Sequence, residues 1–397
     1  MAKLTLKDVD LKGKTVLMRV DFNVPIRSGK ITDDNRIVQA LDSINYITDA
    51  GCKLILTSHL GRPEDAPDPK YSLKPVAEHL KTLVDVPVHF AKDCIGKEAD
   101  DVIESAKDGE IVLLENVRFH PEEKKNDPEF AKKLAAHADI FVNDAFGSSH
   151  RAHASVAGVT EFLQPAVTGF LLEKEIRYLE ESVNNPRRPF VAILGGAKVS
   201  DKIGVIENLL SKVDTIIIGG GMTYTFFRAQ GMEIGNSLVE DDKVDLAKEL
   251  MKTAEEKGVK FMLPIDSVIT TEFSNDAEHK VVDSDEIEPG WMALDIGPQS
   301  SIAFGNQIKA AETVLWNGPM GVFEMENFAD GTFSVAEALA EATRKGATTI
   351  IGGGDSAAAI KKAGLEDAVS HVSTGGGASL EYLEGKDLPG VSSLTDK

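Results

Sequence analysis

Phe190-Val191-Ala192-Ile193-Leu194-Gly195-Gly196-Ala197-Lys198-Val199-Ser200-Asp201-Lys202-Ile203-Gly204-Val205-Ile206-Glu207-Asn208-Leu209-Leu210 lies at the middle of the 397-residue chain. Its first five residues read as a buried strand. From Ile203 onward the apolar residues recur at helical spacing. Strand, glycine turn and helix together aim backbone N–H groups at an anion. Lys198 and Lys202 are four apart, so both are expected to project from one side of the first helical turns. Positive charge at a helix start opposes the macrodipole, and a bound phosphate would remove that conflict. An ordinary turn with two solvated lysines fits this stretch equally well.

Length alone favours two domains. Apolar residues make up 42% and charged residues 27% of the chain, ordinary values for a globular protein. The net charge of −21 argues against general nucleic-acid binding. Any site for an anion must therefore be built locally, against the overall field. Cys52 and Cys94 form no CxxC motif, no His/Cys cluster has metal-ligand spacing, and a reducing cytoplasm is expected. The N-terminus has no hydrophobic signal core, and no apolar run is long enough to span a bilayer.

Outward from the centre, strands alternate with amphipathic helices. In the first half, strands are expected at 15–20, 53–57, 88–90, 111–114 and 140–142. Helices are expected at 36–50, 73–83, 96–106 and about 128–137. This alternation implies an α/β fold with a parallel sheet, whose ligands bind beyond the carboxyl ends of the strands. Residues 1–170 contain six arginines: Arg19, Arg27, Arg36, Arg62, Arg118 and Arg151. Five lie within or just past a strand's carboxyl end, and Arg36 opens the first helix. His59, His150 and His153 fall in the same loops. A planar guanidinium suits bidentate contact with phosphate or carboxylate. The convergence points to a basic pocket for a small, multiply anionic molecule, with Asp21 and Asn23 reading its hydroxyls.

A helix over 169–183 precedes Pro186 and Pro189, and the domain boundary falls along it. The second half has strands at 190–194, 215–218, 260–263, 312–316, 348–351 and 372–374, with an acidic, β-prone stretch at 268–289. Here glycine stands at the strand ends: Gly219-Gly220-Gly221, Gly318, Gly352-Gly353-Gly354 and Gly375-Gly376-Gly377. Such ends let a flat ligand and its phosphates approach the backbone. Gly352-x-Gly354-x-x-Ala357 matches the dinucleotide fingerprint in form, without the companion acidic residue. Asp355 is a carboxylate at a candidate phosphate-binding helix start. It implies an intervening Mg²⁺, although Asp355-Ser356 would also serve as a plain N-cap. No Walker motif is present. An arginine-lined pocket and a glycine-rich nucleotide site suggest phosphoryl transfer by positioning and charge neutralisation.

Arg19-Val20-Asp21-Phe22-Asn23-Val24-Pro25, Ser58-His59-Leu60-Gly61-Arg62-Pro63, Gly195 to Lys202, Trp316-Asn317-Gly318-Pro319 and Gly353-Gly354-Asp355-Ser356 resemble the phosphoglycerate kinase family. The likeness runs from the first strand to Gly375-Gly376-Gly377. It implies two Rossmann-like domains joined by a long helix, with a cleft between them. On this reading residues 1–170, completed by the tail 385–397, bind phosphoglycerate. Residues 171–184 form the hinge and 185–384 bind nucleotide. The implied reaction is reversible phosphoryl transfer from 1,3-bisphosphoglycerate to Mg-ADP, giving 3-phosphoglycerate and ATP, in a cytoplasmic monomer. The resemblance assigns Asp21, Asn23, Arg36, His59, Arg62, Arg118 and Arg151 to phosphoglycerate, with Arg19, His150 and His153 completing the basic patch. It assigns Gly196, Ala197, Lys202, Gly220, Leu294, Asn317, Pro319, Val322, Glu324, Gly353, Gly354, Asp355 and Ser356 to the nucleotide, with Asp355 on the metal. Arg36, Lys198 and the amides near Gly375 and Gly376 are expected at the transferring phosphoryl group. Ala293 stands where the family more usually has glycine, so its methyl group is expected to crowd the nucleotide. Two other readings stay open: a nucleotide-linked dehydrogenase, and a binding protein that closes without turnover.

Overall fold

The computed structural model describes residues 2–64 and 66–397. Two compact units divide the chain: Met1–Arg177 with Asp387–Lys397, and Tyr178–Lys386. The division falls inside the helix Phe170–Asn184.

In the first unit six parallel strands lie in the order Val88–Phe90, Ile111–Leu113, Lys53–Thr57, Thr15–Arg19, Ile140–Asn143, Ala166–Thr168. Val16, Leu17 and Met18 of the central strand are buried, because helices cover both faces of a parallel sheet. Strand order reverses at Thr15–Arg19. The loops after this strand and after Ile140–Asn143 therefore open a crevice at the carboxyl edge. Leu6, Phe22, Ile37, Ile44 and Leu73 fill the layer against one face of the sheet.

The second unit has its own six-stranded parallel sheet, ordered Lys260–Met262, Thr215–Ile218, Phe190–Leu194, Thr313–Asn317, Thr348–Gly352, His371–Val372. This is the dinucleotide-fold order, with its switch point between Phe190–Leu194 and Thr313–Asn317. Trp316, Phe304 and Leu339 centre the core. A separate antiparallel sheet of His279–Asp283, Asp266–Thr270 and Met292–Ile296 covers the acidic, β-prone stretch.

Several local expectations change. The helix expected at 36–50 is two, Asn35–Val38 and Leu41–Asp49, because a tightened turn with Ala40 N donating to Ile37 O at 3.1 Å interrupts it. The stretch 195–202 is not helical. The helix begins at Ile203, and Lys202 is its N-cap residue, so the two lysines do not share a helical face. The strand Ala166–Thr168 and the helices Thr223–Ala229 and Pro298–Lys309 are additions.

Two helices start on carboxylates supplied from elsewhere. Asp266 is fully buried and accepts from Gln299 N at 2.9 Å and Ser300 N at 2.8 Å. Asp144 accepts from Leu172 N at 3.0 Å at the start of the helix Phe170–Asn184. These bonds satisfy amides that the first turn leaves open. Gly169 permits the second contact, since a Cβ there would lie 2.3 Å from Asp144 Cγ.

Burial pushes the Asp144 carboxyl up to about 7 against these bonds, and Asp295, accepting from Gly331 N at 2.8 Å, up to about 8. Both folded values lie above the ordinary 3.8. The stability each contributes is therefore full below that value and is lost as pH rises through 7 to 8. Asp144→Asn should accordingly flatten the fall in unfolding free energy between pH 5 and 8 by on the order of 1 kcal/mol or more. Parallel pH profiles for wild type and variant in urea denaturation would contradict this.

Candidate functional site

The first unit gathers its positive charge at the crevice. Arg19 ends the central strand and is 1% exposed. Its Nε donates to Ser155 Oγ at 2.9 Å, Nη1 donates to the Val20 carbonyl, and Nη2 lies 3.1 Å from His59 Nδ1. Ser155 in turn donates to the fully buried Glu123 at 2.6 Å. Arg118 sits in the turn Val117–Phe119 and donates to Gly61 O at 2.6 Å, while its buried Nε has no partner. Arg151 donates to His150 Nε2 at 3.1 Å, and Arg36 pairs with Asp21 at 2.9 Å. Asn23 Oδ1 accepts from Gly61 N at 2.8 Å, which fixes the loop that carries Arg62.

The electrostatics follow from this crowding. Burial first, and then Arg151 and Arg19, lower the Arg118 guanidinium to about 10. Burial with Arg19, Arg118, Arg151 and Arg36 holds the His59 imidazole well below its ordinary value. Burial with Arg118, Arg19 and Arg151 takes His153 down to about 3. Both rings are therefore neutral at pH 7. Cationic groups stand close together with Glu123 and Asp21 as partial counter-charge.

Asp21, Asn23, Arg36, His59, Arg118 and Arg151 thus converge, whereas Arg62 is exposed at the end of its loop. Arg19 is interior rather than part of an open patch, because its three nitrogens already bond within the protein. Arg27 lies exposed in a two-stranded ribbon, Ile26–Arg27 with Lys30–Ile31.

In the second unit a cavity of about 720 Å³ opens at the switch point. Gly196, Ala197, Gly220, Leu294, Pro319, Val322, Glu324 and Asp355 all line it. Its walls are mostly apolar, with Glu324 and Asp355 as its charged side chains. Lys202, Asn317 and Ser356 stand behind the lining. Lys202 is 8% exposed and donates to Asn317 Oδ1. Burial lowers its pKa, opposed by Asp201 and Asp355. Ser356 Oγ accepts from Gly318 N at 2.6 Å, so it does not cap the following helix. That helix, Gly354–Lys362, has Gly353 at its N-cap and no side-chain cap. Asp355 is exposed in its first turn.

The glycines divide into two groups. A Cβ on Gly195 would lie 2.1 Å from Pro319 O, and one on Gly318, with φ +105°, 2.2 Å from Gly195 O. These residues are glycine so that two loops can touch backbone to backbone. A Cβ on Gly352 or Gly353 would lie 3.2 Å from Asn317 Nδ2, so these two glycines make room for the Asn317 side chain. Gly196, Gly354 and Gly376 instead have open space where a Cβ would stand. The Gly375 amide is already taken by Ser373 Oγ at 3.1 Å. Lys198 is exposed on the 195–202 loop. Ala293 borders the cavity, but it is 6% exposed and belongs to a cluster with Tyr224, Ile269 and Ile287.

Sequence reasoning missed Glu123 and Ser155, which hold Arg19. The signal was one of two adjacent glutamates, Glu122 and Glu123, in the helix-forming run after Arg118, where either resembles a surface residue. Among the described residues no helix is long and apolar enough to cross a membrane.

The family model for phosphoglycerate kinase matches residues 6–386. The chain is 58% identical to the phosphoglycerate kinases of Chlorobium phaeobacteroides and Chloroherpeton thalassium, over the full length of both partners. It superimposes on the phosphoglycerate kinase of Coxiella burnetii with a TM-score of 0.90 at 42% identity. For that of Pyrococcus horikoshii the values are 0.83 and 32%, and each match covers 98% of both chains. Two parallel six-stranded sheets, a guanidinium cluster on one and a nucleotide-sized cavity on the other accord with these matches, and the chain belongs to the phosphoglycerate kinase family.

Proposed function

We propose that the first crevice holds phosphoglycerate and the second unit's cavity holds the nucleotide. The reaction is the reversible phosphoryl transfer between 1,3-bisphosphoglycerate and ADP that family membership entails. Residues 1–170 with the tail 385–397 form the phosphoglycerate domain, 185–384 the nucleotide domain, and 171–184 a hinge whose closure unites them. The observation that carries this reading is the guanidinium cluster. Arg118 stands close to Arg151 and Arg19, and burial together with these two cations lowers its proton affinity, within a chain of net charge −21. Such mutual repulsion is relieved when a phosphate or carboxylate arrives.

Arg118, Arg151, Arg62 and Arg36 bind the anionic groups, His59 donates or accepts as a neutral ring, and Asp21 and Asn23 take the hydroxyl. Gly196, Ala197, Gly220, Leu294, Pro319 and Val322 form the base and phosphate walls. Glu324 accepts from the ribose hydroxyls. Lys202, oriented by Asn317, and the helix start shaped by Gly353, Gly354 and Ser356 meet the nucleotide phosphates.

Asp355 fits the magnesium role. It is an exposed carboxylate on the cavity, at an uncapped helix start. A hard cation is bound through few protein oxygens together with substrate phosphates. When bound, Mg²⁺ neutralises charge on the transferring phosphates.

The acceptor carboxylate is ionised at neutral pH, so no base is needed. Arg36, Lys198 and the backbone at Gly376 steady the transferring group, with the Gly375 amide held by Ser373 Oγ and no covalent enzyme intermediate. A cytoplasmic monomer completes the proposal.

Lys198→Ala should lower turnover about 10²–10³-fold while leaving nucleotide affinity nearly unchanged, because the contact forms in the transition state. Near-normal turnover would remove Lys198 from this role. Sulfate should raise the KM for 3-phosphoglycerate competitively, and a KM indifferent to sulfate would count against the guanidinium pocket. Asp355→Asn should raise the magnesium concentration needed for half-maximal activity. An unchanged requirement would place the metal elsewhere.

A further inference from the structure

One constellation in the first unit has no part in this chemistry. Asp93 and Cys94 follow the strand Val88–Phe90, and His120 follows the turn Val117–Phe119 that leaves the strand Ile111–Leu113. These strands are parallel neighbours with Phe90 opposite Leu113, so their exit loops meet although 27 residues separate Asp93 from His120. Sequence spacing therefore gave no sign of the cluster. A carboxylate oxygen, the Cys94 Sγ and a ring nitrogen all lie within 4.8 Å of one another.

His120 Nε2 is 2.7 Å from Asp93 Oδ1, and an ion pair would account for those two residues but not for the sulfur. The other thiol, Cys52, donates to Leu11 O at 2.9 Å. Cys94 is 3% exposed, whereas the His120 and Asp93 side chains beside it are 26% and 43% exposed, so solvent reaches the cluster through them. Phe130 packs on the His120 ring with centroids 5.3 Å apart and fixes its orientation. The charged groups acting on the sulfur are Asp93, Glu123 and Glu115. Those acting most strongly on the ring are Asp93, Glu122 and the cation Lys133. The local field is thus negative and suits a cation.

We propose that Asp93, Cys94 and His120 form a three-ligand site for a thiophilic divalent cation, zinc or cobalt, with a fourth position open to solvent. Sulfur, imidazole and carboxylate in a tetrahedral set select such ions. Magnesium, which demands oxygen ligands, is not a candidate here. On binding, the thiol and the His120 Nε2–H each yield a proton to solvent, the imidazole coordinates through the bare Nε2 as the neutral Nδ1–H ring, and the Asp93–His120 hydrogen bond gives way to two metal–ligand bonds.

The test is titration of cobalt(II) chloride into the chelator-stripped full chain. One equivalent should produce a near-ultraviolet thiolate-to-cobalt charge-transfer band with tetrahedral visible bands, and zinc chloride should abolish both. Cys94→Ser should lose the charge-transfer band, Cys52→Ser should keep it, and His120→Asn should weaken cobalt binding at least about tenfold. Absence of the band in the wild-type protein, its survival in Cys94→Ser, or unchanged affinity in His120→Asn would each overturn the proposal.

Discussion

Arg19 ends the central strand of the first sheet with its guanidinium buried, and the surrounding loops are built on it. One nitrogen holds the Val20 carbonyl, another reaches His59 in the next loop, and the third meets Ser155 beyond the crevice. Ser155 passes the contact to Glu123. Burying such a charge costs several kcal/mol unless it is paired and fully bonded. The opposite charges of Glu123 and Asp21 supply that pairing. Because each of its three nitrogens already bonds within the protein, Arg19 acts as a post that holds His59 and, through Ser155, the segment beyond the crevice, rather than as a ligand itself.

The second unit meets the same topological problem with backbone instead of side chains. At its switch point Gly195, Gly220 and Gly318 bring main chain against main chain, with the Pro319 carbonyl among the contacts, a closeness that a Cβ on any of the three glycines would forbid. The result is a mostly apolar, shape-defined cavity with Asp355 and Glu324 as its charged side chains. A cluster that concentrates charge suits a small polyanion, and a cavity of fixed walls suits a planar base. The fold thus places two complementary chemistries at the same edge of two similar sheets.

Strands were readable in the sequence because parallel-sheet strands are continuous apolar runs, as at Phe190–Leu194 and Thr15–Arg19. The arginine loops were readable because guanidinium groups are scarce in the first half and fall at strand ends. What escaped depends on distant partners. Ala166–Thr168 is three residues long and exists by pairing with Ile140–Asn143. The helix Pro298–Lys309 takes its cap from Asp266, outside the local sequence. Lys198 and Lys202 looked alike at four-residue spacing. With the helix beginning only at Ile203, one lysine is exposed and the other buried against Asn317. Glycines read as room for a ligand proved in part to be room for a neighbouring loop.

The mid-chain turn is therefore a wall whose lysines have separate neighbours, and the anion chemistry rests on the cluster anchored by Arg19. The most direct measurement is calorimetric titration of 3-phosphoglycerate into the wild-type protein and into Arg151→Ala, which leaves the bonds of Arg19 intact. The affinity should fall at least about tenfold in the variant, as loss of a charge-assisted contact in a partly buried site requires. Equal affinities would mean that the guanidinium cluster is not where phosphoglycerate binds.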